Sequence, residues 1–228
     1  MDSPPLLLCP RGAPRGRSGH PRLPEPPRKV DLTTCKRVYP GETYQACSCT
    51  GTADRLQIAA QPERGSSFRP ELPITVAVLD GNLDFGKGIV LEGTIQATCR
   101  DRRLTASSVG SYLEEKPGEG TAILLRSYGR TEIAKMTTTD RVLFRPEDTI
   151  APGCAAPAGI VPHTNHPFRL MVRKNMFELY LDDMFVQTFN TTHDPGNIGL
   201  TPQRIGFIVE NGLGLFENVT VAPMTLDE

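Results

Sequence analysis

The stretch from Phe168 to Phe189, FRLMVRKNMFELYLDDMFVQTF, constrains the fold more tightly than any other part of the 228-residue chain. Phe168, Leu170 and Val172 alternate with Arg169, Met171 and Arg173. Lys174-Asn175 then turns the chain, and Phe177, Leu179 and Leu181 alternate with Glu178, Tyr180 and Asp182. Asp182-Asp183 turns it again, into Met184, Val186 and Thr188 alternating with Phe185, Gln187 and Phe189. Period-two alternation broken by two-residue polar turns predicts a three-stranded antiparallel meander.

The rest of the chain after residue 40 repeats this grammar less densely. Strands are expected at Thr43–Cys49, Arg55–Ala60, Ile74–Leu79, Ile89–Ala97, Thr121–Tyr128, Glu132–Thr137 and Val142–Arg145. Arg204–Glu210 and Leu213–Val221 read as a closing hairpin turned at Asn211-Gly212. Leu104–Leu113 reads equally as a short helix or an irregular loop, and Pro146–Pro162 as a long connection. Short strands spaced by Gly, Pro and Asp predict an all-β protein: a two-sheet antiparallel β-sandwich of the concanavalin A-like, jelly-roll type. Residues 1–38 are set apart by prolines interleaved with arginines. Such a segment buries too little apolar surface to offset its ordering entropy and is expected to be a disordered tail. The sandwich is then a single domain over 39–228.

Composition excludes several partners. With 25 basic and 26 acidic side chains the net charge is -1, which disfavours nucleic acid as the main ligand. No run of about 18 apolar residues occurs, so no transmembrane segment is expected. The six cysteines have irregular spacing, and Cys47-Ser48-Cys49 fits neither a zinc knuckle nor a redox motif. Reduced, mostly buried thiols are expected, and the compartment stays open. Leu6-Leu7-Leu8-Cys9 lacks the basic flank and apolar length of a signal peptide.

VRKNMFELYLDDMFVQTFN, followed by TPQRIGFIVENGLGLFENVTV, resembles the C-terminal β-sandwich of glycoside hydrolase family 32 enzymes. These are the invertase, inulinase and levanase-like proteins that act on fructose-containing sugars. DFGKGIVLEGTIQA and GTAILLRSYG look like earlier strands of the same sandwich, so the resemblance spans roughly residues 40–226. In that family the catalytic acids lie in an N-terminal propeller. Its Asn-Asp-Pro, Arg-Asp-Pro and Glu-Cys motifs have no match here; Arg145-Pro146-Glu147-Asp148 has the wrong order. The resemblance therefore implies a noncatalytic accessory module, part of a longer enzyme, whose partner is a propeller catalytic domain. A free-standing, lectin-like carbohydrate-binding domain is the alternative, and a glycosidase with an unrecognised site a third reading.

The residues test these readings directly. Glu178 and Asp182 share a strand with Tyr180, but four strand positions span about 13 Å. Glycosidic cleavage needs carboxyls about 5–9.5 Å apart, so the pair is read as a solvated face beside Arg169 or Arg173. Arg169, Arg173, Glu178, Tyr180 and Gln187 are expected to share one sheet surface and form the carbohydrate-binding candidate. No catalytic residue, metal site or cofactor is expected: His163 and His166 have no further ligand nearby in sequence, and Asp182-Asp183 supplies too few oxygens for calcium. Asn190-Thr-Thr192 and Asn218-Val-Thr220 match the glycosylation pattern, a match too common by chance to show secretion.

Overall fold

The computed structural model describes residues 26–39, 47–60, 73–98, 107–127, 130–137, 143–144, 155–156, 158–190 and 201–224. The first strands are β1 (Arg28–Lys29), β2 (Lys36–Tyr39), β3 (Cys47–Gly51), β4 (Arg55–Ala60), β5 (Ile74–Val78) and β6 (Ile89–Thr98). Next come β7 (Ser108–Lys116), β8 (Glu119–Arg126), β9 (Arg130–Thr137), β10 (Leu143–Phe144) and β11 (Ala155–Ala156). The meander supplies β12 (His166–Arg173), β13 (Met176–Leu181) and β14 (Met184–Asn190), and β15 (Arg204–Glu210) and β16 (Gly212–Pro223) end the series. Two antiparallel sheets form a jelly-roll sandwich. One runs β14-β13-β12-β6-β16-β4-β3 with β1 on β16; the other runs β10-β9-β8-β7-β15-β5-β2 with β11 on β9. Among the described residues no helix is long and apolar enough to cross a membrane.

The core lies between the sheets. Leu91, Ile95, Phe168, Leu170, Val172, Phe177, Leu179 and Phe216 from the first sheet meet Val109, Leu113, Ile123, Leu125, Phe207 and Val209 from the second. In the first two strands of the meander the alternation holds as read: β12 and β13 bury every second side chain. Both of its turns need left-handed backbone, and Lys174 (φ 53°), Asp182 (φ 52°) and Asp183 (φ 61°) adopt it.

Three expectations are corrected. The sandwich begins before residue 39, because β1 pairs with Thr220 and Val221, and β2 pairs with β5. Between them Leu32 is fully buried in the core, on a 3-10 turn whose Thr33 N–H donates to the Asp31 carboxylate at 3.0 Å. One core leucine among basic residues anchors a segment whose composition reads as tail; residues 1–25 of that tail lie outside the described residues. Second, β15 and β16 form no hairpin. The Asn211-Gly212 corner, with Asn211 at φ 52°, carries the chain from one sheet to the other, so each strand gains two neighbours. Third, Ser108–Leu113 is strand, part of β7, pinned between β8 and β15.

The last result follows from burial on both faces of β7. A second apolar cluster (Val76, Val78, Tyr112, Ala122, Leu124, Met136 and Ile208) lies on the outer face of the second sheet. Strands buried on both faces show no alternation, which removes the pattern that reveals half-buried strands. Tyr112 lies across Gly120, where a Cβ would meet its ring at 2.7 Å, so β8 needs glycine there. Cys47 is buried, and Cys35 and Cys49 are half-buried free thiols. Burial, with Cys49 adding to it, pushes the Cys35 thiol well above its ordinary range. Cys9, Cys99 and Cys154 lie outside the described residues.

Candidate functional site

The outer face of the first sheet carries the candidate site. Register sets Arg169 between Tyr180 on β13 and Glu92 on β6, so all three project from the same side. Arg169 Nε donates to Glu92 Oε1, and its guanidinium carbon lies 6.0 Å from the Tyr180 ring centroid. The Glu92 carboxylate holds the Arg169 guanidinium more firmly protonated. Tyr180 O–H donates to Glu178 Oε2 at 3.2 Å, and partial burial, with Glu178 adding to it, raises the phenol above its ordinary value. Beside it stands Phe185, 57% exposed, its ring 5.6 Å from that of Tyr180 at 71°.

A depression of about 220 Å³ opens here, lined by Glu92, Gly93, Pro167, Phe168, Arg169, Tyr180 and Asp183. Gly93 sits opposite Phe168, and a Cβ there would meet the Phe168 ring at 3.2 Å. The depression thus combines a half-exposed aromatic wall, a fixed guanidinium and two carboxylates. Such a surface packs an apolar ring face while bonding hydroxyls around the ring's edge.

Of the expected residues, Arg169, Glu178 and Tyr180 are brought together. Arg173 is exposed on the same face at the far end of β12, opposite Met176, and does not line the depression. Gln187 is on the wrong side. Val186 is an extra residue in β14: Tyr180 pairs with Phe185, but Leu179 pairs with Gln187. This bulge inverts the alternation, turning Gln187 inward with neither amide atom hydrogen-bonded. The inversion also brings Phe189 opposite Phe177, with ring centroids 5.6 Å apart. A one-residue insertion in register is invisible to an alternation count; Phe185 lies before it and keeps the face that alternation gives it, beside Tyr180. Glu92 was missed because its pairing to Arg169 spans 77 positions.

The two acids weighed as a catalytic pair are engaged separately. Glu178 takes the Tyr180 hydroxyl, whereas Asp182 Oδ2 lies 2.7 Å from His166 Nδ1, and Val161 N–H donates to His166 Nε2 at 3.0 Å. Glu178 faces Met171, and Arg169, one of its two expected arginine neighbours, pairs with Glu92 instead. Among the described residues no group of three or more His, Cys, Asp or Glu side chains is placed to hold a metal ion. A second depression, of about 470 Å³, lies at one end of the other sheet, between Asp80, Glu114 and Arg204.

No protein family matches the sequence, and no curated protein matches it either. Solved structures do match. The carbohydrate binding module CBM66 from Bacillus subtilis superposes with a TM-score of 0.58 at 12% identity, covering 86% of this chain and 99% of that one. The potassium-bound Emp46p carbohydrate recognition domain gives 0.55 at 12% identity, over 86% and 91%. The VIP36 exoplasmic/lumenal domain, solved with Ca2+ and Man3GlcNAc, gives 0.54 at 9% identity, over 88% and 87%. At such identities the likeness establishes the lectin-like sandwich fold.

Proposed function

We propose that this sandwich is a noncatalytic carbohydrate-binding domain that takes a sugar ring on the Tyr180–Phe185 face. The observation that carries the reading is the pairing of two accessible aromatic rings with Arg169 and Glu92 over one small depression. A pyranose or furanose ring presents a C–H face to an aromatic side chain and hydroxyls to planar polar groups, and this face offers both. The similar structures include a carbohydrate binding module and a carbohydrate recognition domain, which point the same way. The separate engagement of Glu178 and Asp182 supports a role without catalysis.

Isothermal titration against 1-kestose, mannotriose and cellotriose tests the reading. At least one should bind, and Tyr180→Ala with Phe185→Ala should weaken it about tenfold or more, roughly 1.4 kcal/mol. Undiminished binding by the double variant removes this face as the site.

The narrower role, an accessory module packed on a family 32-type propeller, rests on the sequence resemblance and on one surface feature. Met184 and Phe185 are exposed side by side at the start of the edge strand β14, an apolar pair that a partner domain would cover. A shift to the complex on size exclusion with an isolated family 32 propeller, lost on Met184→Lys, is its expected signature; no shift sinks it.

A further inference from the structure

The depression on the second sheet is built from groups with bonding capacity to spare. It sits where the loop after β5, the β7–β8 turn and the start of β15 converge, and it is lined by Asp80, Asn82, Glu114, Pro117, Gln203 and Arg204. Glu114 is its foundation. Its side chain is only 2% exposed; Oε2 accepts from Arg204 Nε and Oε1 from Gly118 N–H at 3.3 Å. Gln203 N–H donates to the Glu114 carbonyl at 2.7 Å, so the same residue fixes the start of β15. A buried carboxylate with both oxygens engaged sets the plane of the guanidinium above it.

What faces the cavity is different. Among the described residues Arg204 spends only Nε, which leaves its terminal nitrogens available. Asp80 Oδ2 accepts from Lys36 Nζ at 2.9 Å, and its Oδ1 is open among the described residues. The side-chain amides of Asn82 and Gln203 are exposed and carry no hydrogen bond among the described residues. Gly81 adds open space beside them, since a Cβ there would meet nothing within 4 Å. Four planar polar groups with open donor or acceptor positions thus surround about 470 Å³, with Pro117 as an apolar wall. Charges balance around the rim, Lys36 and Arg204 against Asp80 and Glu114. The ion pairs at the rim leave an isolated ion no unpaired charge to bind, whereas neutral vicinal hydroxyls find paired donors and acceptors.

From this we infer a second ligand site, selective for a neutral oligosaccharide, on the sheet opposite the Tyr180 face. The inference rests on the reading of the sandwich as a carbohydrate-binding domain, but on none of the residues of the first site. One domain with two sites on opposite sheets grips a branched or multi-chain glycan at two points, and the effective concentration of the second contact multiplies the first.

The experiment is a 15N–1H titration of the full chain with 1-kestose, mannotriose and cellotriose, reading the side-chain amide signals of Asn82 and Gln203 beside the backbone signals of Tyr180 and Phe185. The expected result is a saturable shift of both amides by a sugar. It should persist in Tyr180→Ala/Phe185→Ala and weaken about tenfold or more in Gln203→Ala, an exposed substitution that leaves the fold intact. Response at Tyr180 with silence at Asn82 and Gln203 overturns the second site and leaves the first standing. Silence at both places overturns the second site together with the carbohydrate reading. Titration with galacturonic acid oligomers adds a check on the charge argument: tighter binding than the neutral sugars at Gln203 overturns the stated selectivity.

Discussion

Two arginines, one on the outer face of each sheet, sit in opposite circumstances. Arg126 on β8 is 1% exposed and reaches Glu132 Oε2 at 2.6 Å and Glu210 Oε2 at 2.5 Å; those carboxylates are 5% and 1% exposed, and Ser108 donates to Glu210 at 3.1 Å. Arg169 on β12 is 47% exposed and bonds Glu92, itself 38% exposed. The chemistry is nearly the same, guanidinium on carboxylate across the sheet: Arg169 and Arg126 each reach a neighbouring strand, and Arg126 also spans β7 to Glu210 on β15. Burial makes one a structural tie and leaves the other free to exchange its partner for a ligand. In the sealed cluster each charge has lost its water and depends wholly on its neighbours. At the open face, solvent screens the pair, and a bound ligand competes at little cost.

The comparison is easiest to break at Arg126. Arg126→Met leaves two carboxylates buried without their cation and should cost about 3–5 kcal/mol in urea unfolding. Replacing Glu132 and Glu210 by leucine as well should recover most of that loss; failure to recover it means the cluster stabilises by more than mutual compensation. Gln187 is the next test, because it is sealed without partners. Gln187→Leu removes a desolvated amide of similar volume and should stabilise by about 1–3 kcal/mol, with sugar binding unchanged. A lower urea midpoint would show that the amide is satisfied after all.

On the open face, Glu92→Gln should cost less than about 1 kcal/mol, and the difference should shrink further at high salt. A loss comparable to that of Arg126→Met collapses the contrast. The smallest effect belongs to the fully exposed Lys36–Asp80 pair. The hydrogen bond from Lys36, then its charge, holds the Asp80 carboxyl below the ordinary aspartate value of 3.8. A carboxyl depressed by folding contributes its stability fully above that ordinary value and loses it as pH falls through the lowered one. The acid limb of a stability–pH curve should therefore flatten slightly in Asp80→Asn. An unchanged limb means the pair contributes nothing measurable.

What could be read in advance follows the same division between local and distant causes. The alternation of Phe168, Leu170 and Val172 with Arg169 predicts a face because neighbours in a strand point apart whatever lies beyond them. The two-residue turns at Lys174-Asn175 and Asp182-Asp183 are equally local, and the strands they join pair as expected. Candidate site residues on β12 and β13 came out on one surface for that reason. Gln187 did not, since the bulge at Val186 shifts the register and sets Phe189 against Phe177, an arrangement that exists only once both strands are paired. Ser108–Leu113 hid its strand because neighbours cover both faces, and Asn211-Gly212 gave a hairpin signal for what is a corner between sheets.

By itself, then, the sequence determined an all-β sandwich and the side of the meander from which Arg169, Glu178 and Tyr180 project. Backbone geometry over a few residues decides those things. Tertiary structure decided which strands are neighbours, that Arg169 meets Glu92 and Arg126 meets Glu210, and that one pair stays wet while the other is sealed. Such pairings depend on contacts between residues 77 and 84 positions apart, and no short-range pattern records them.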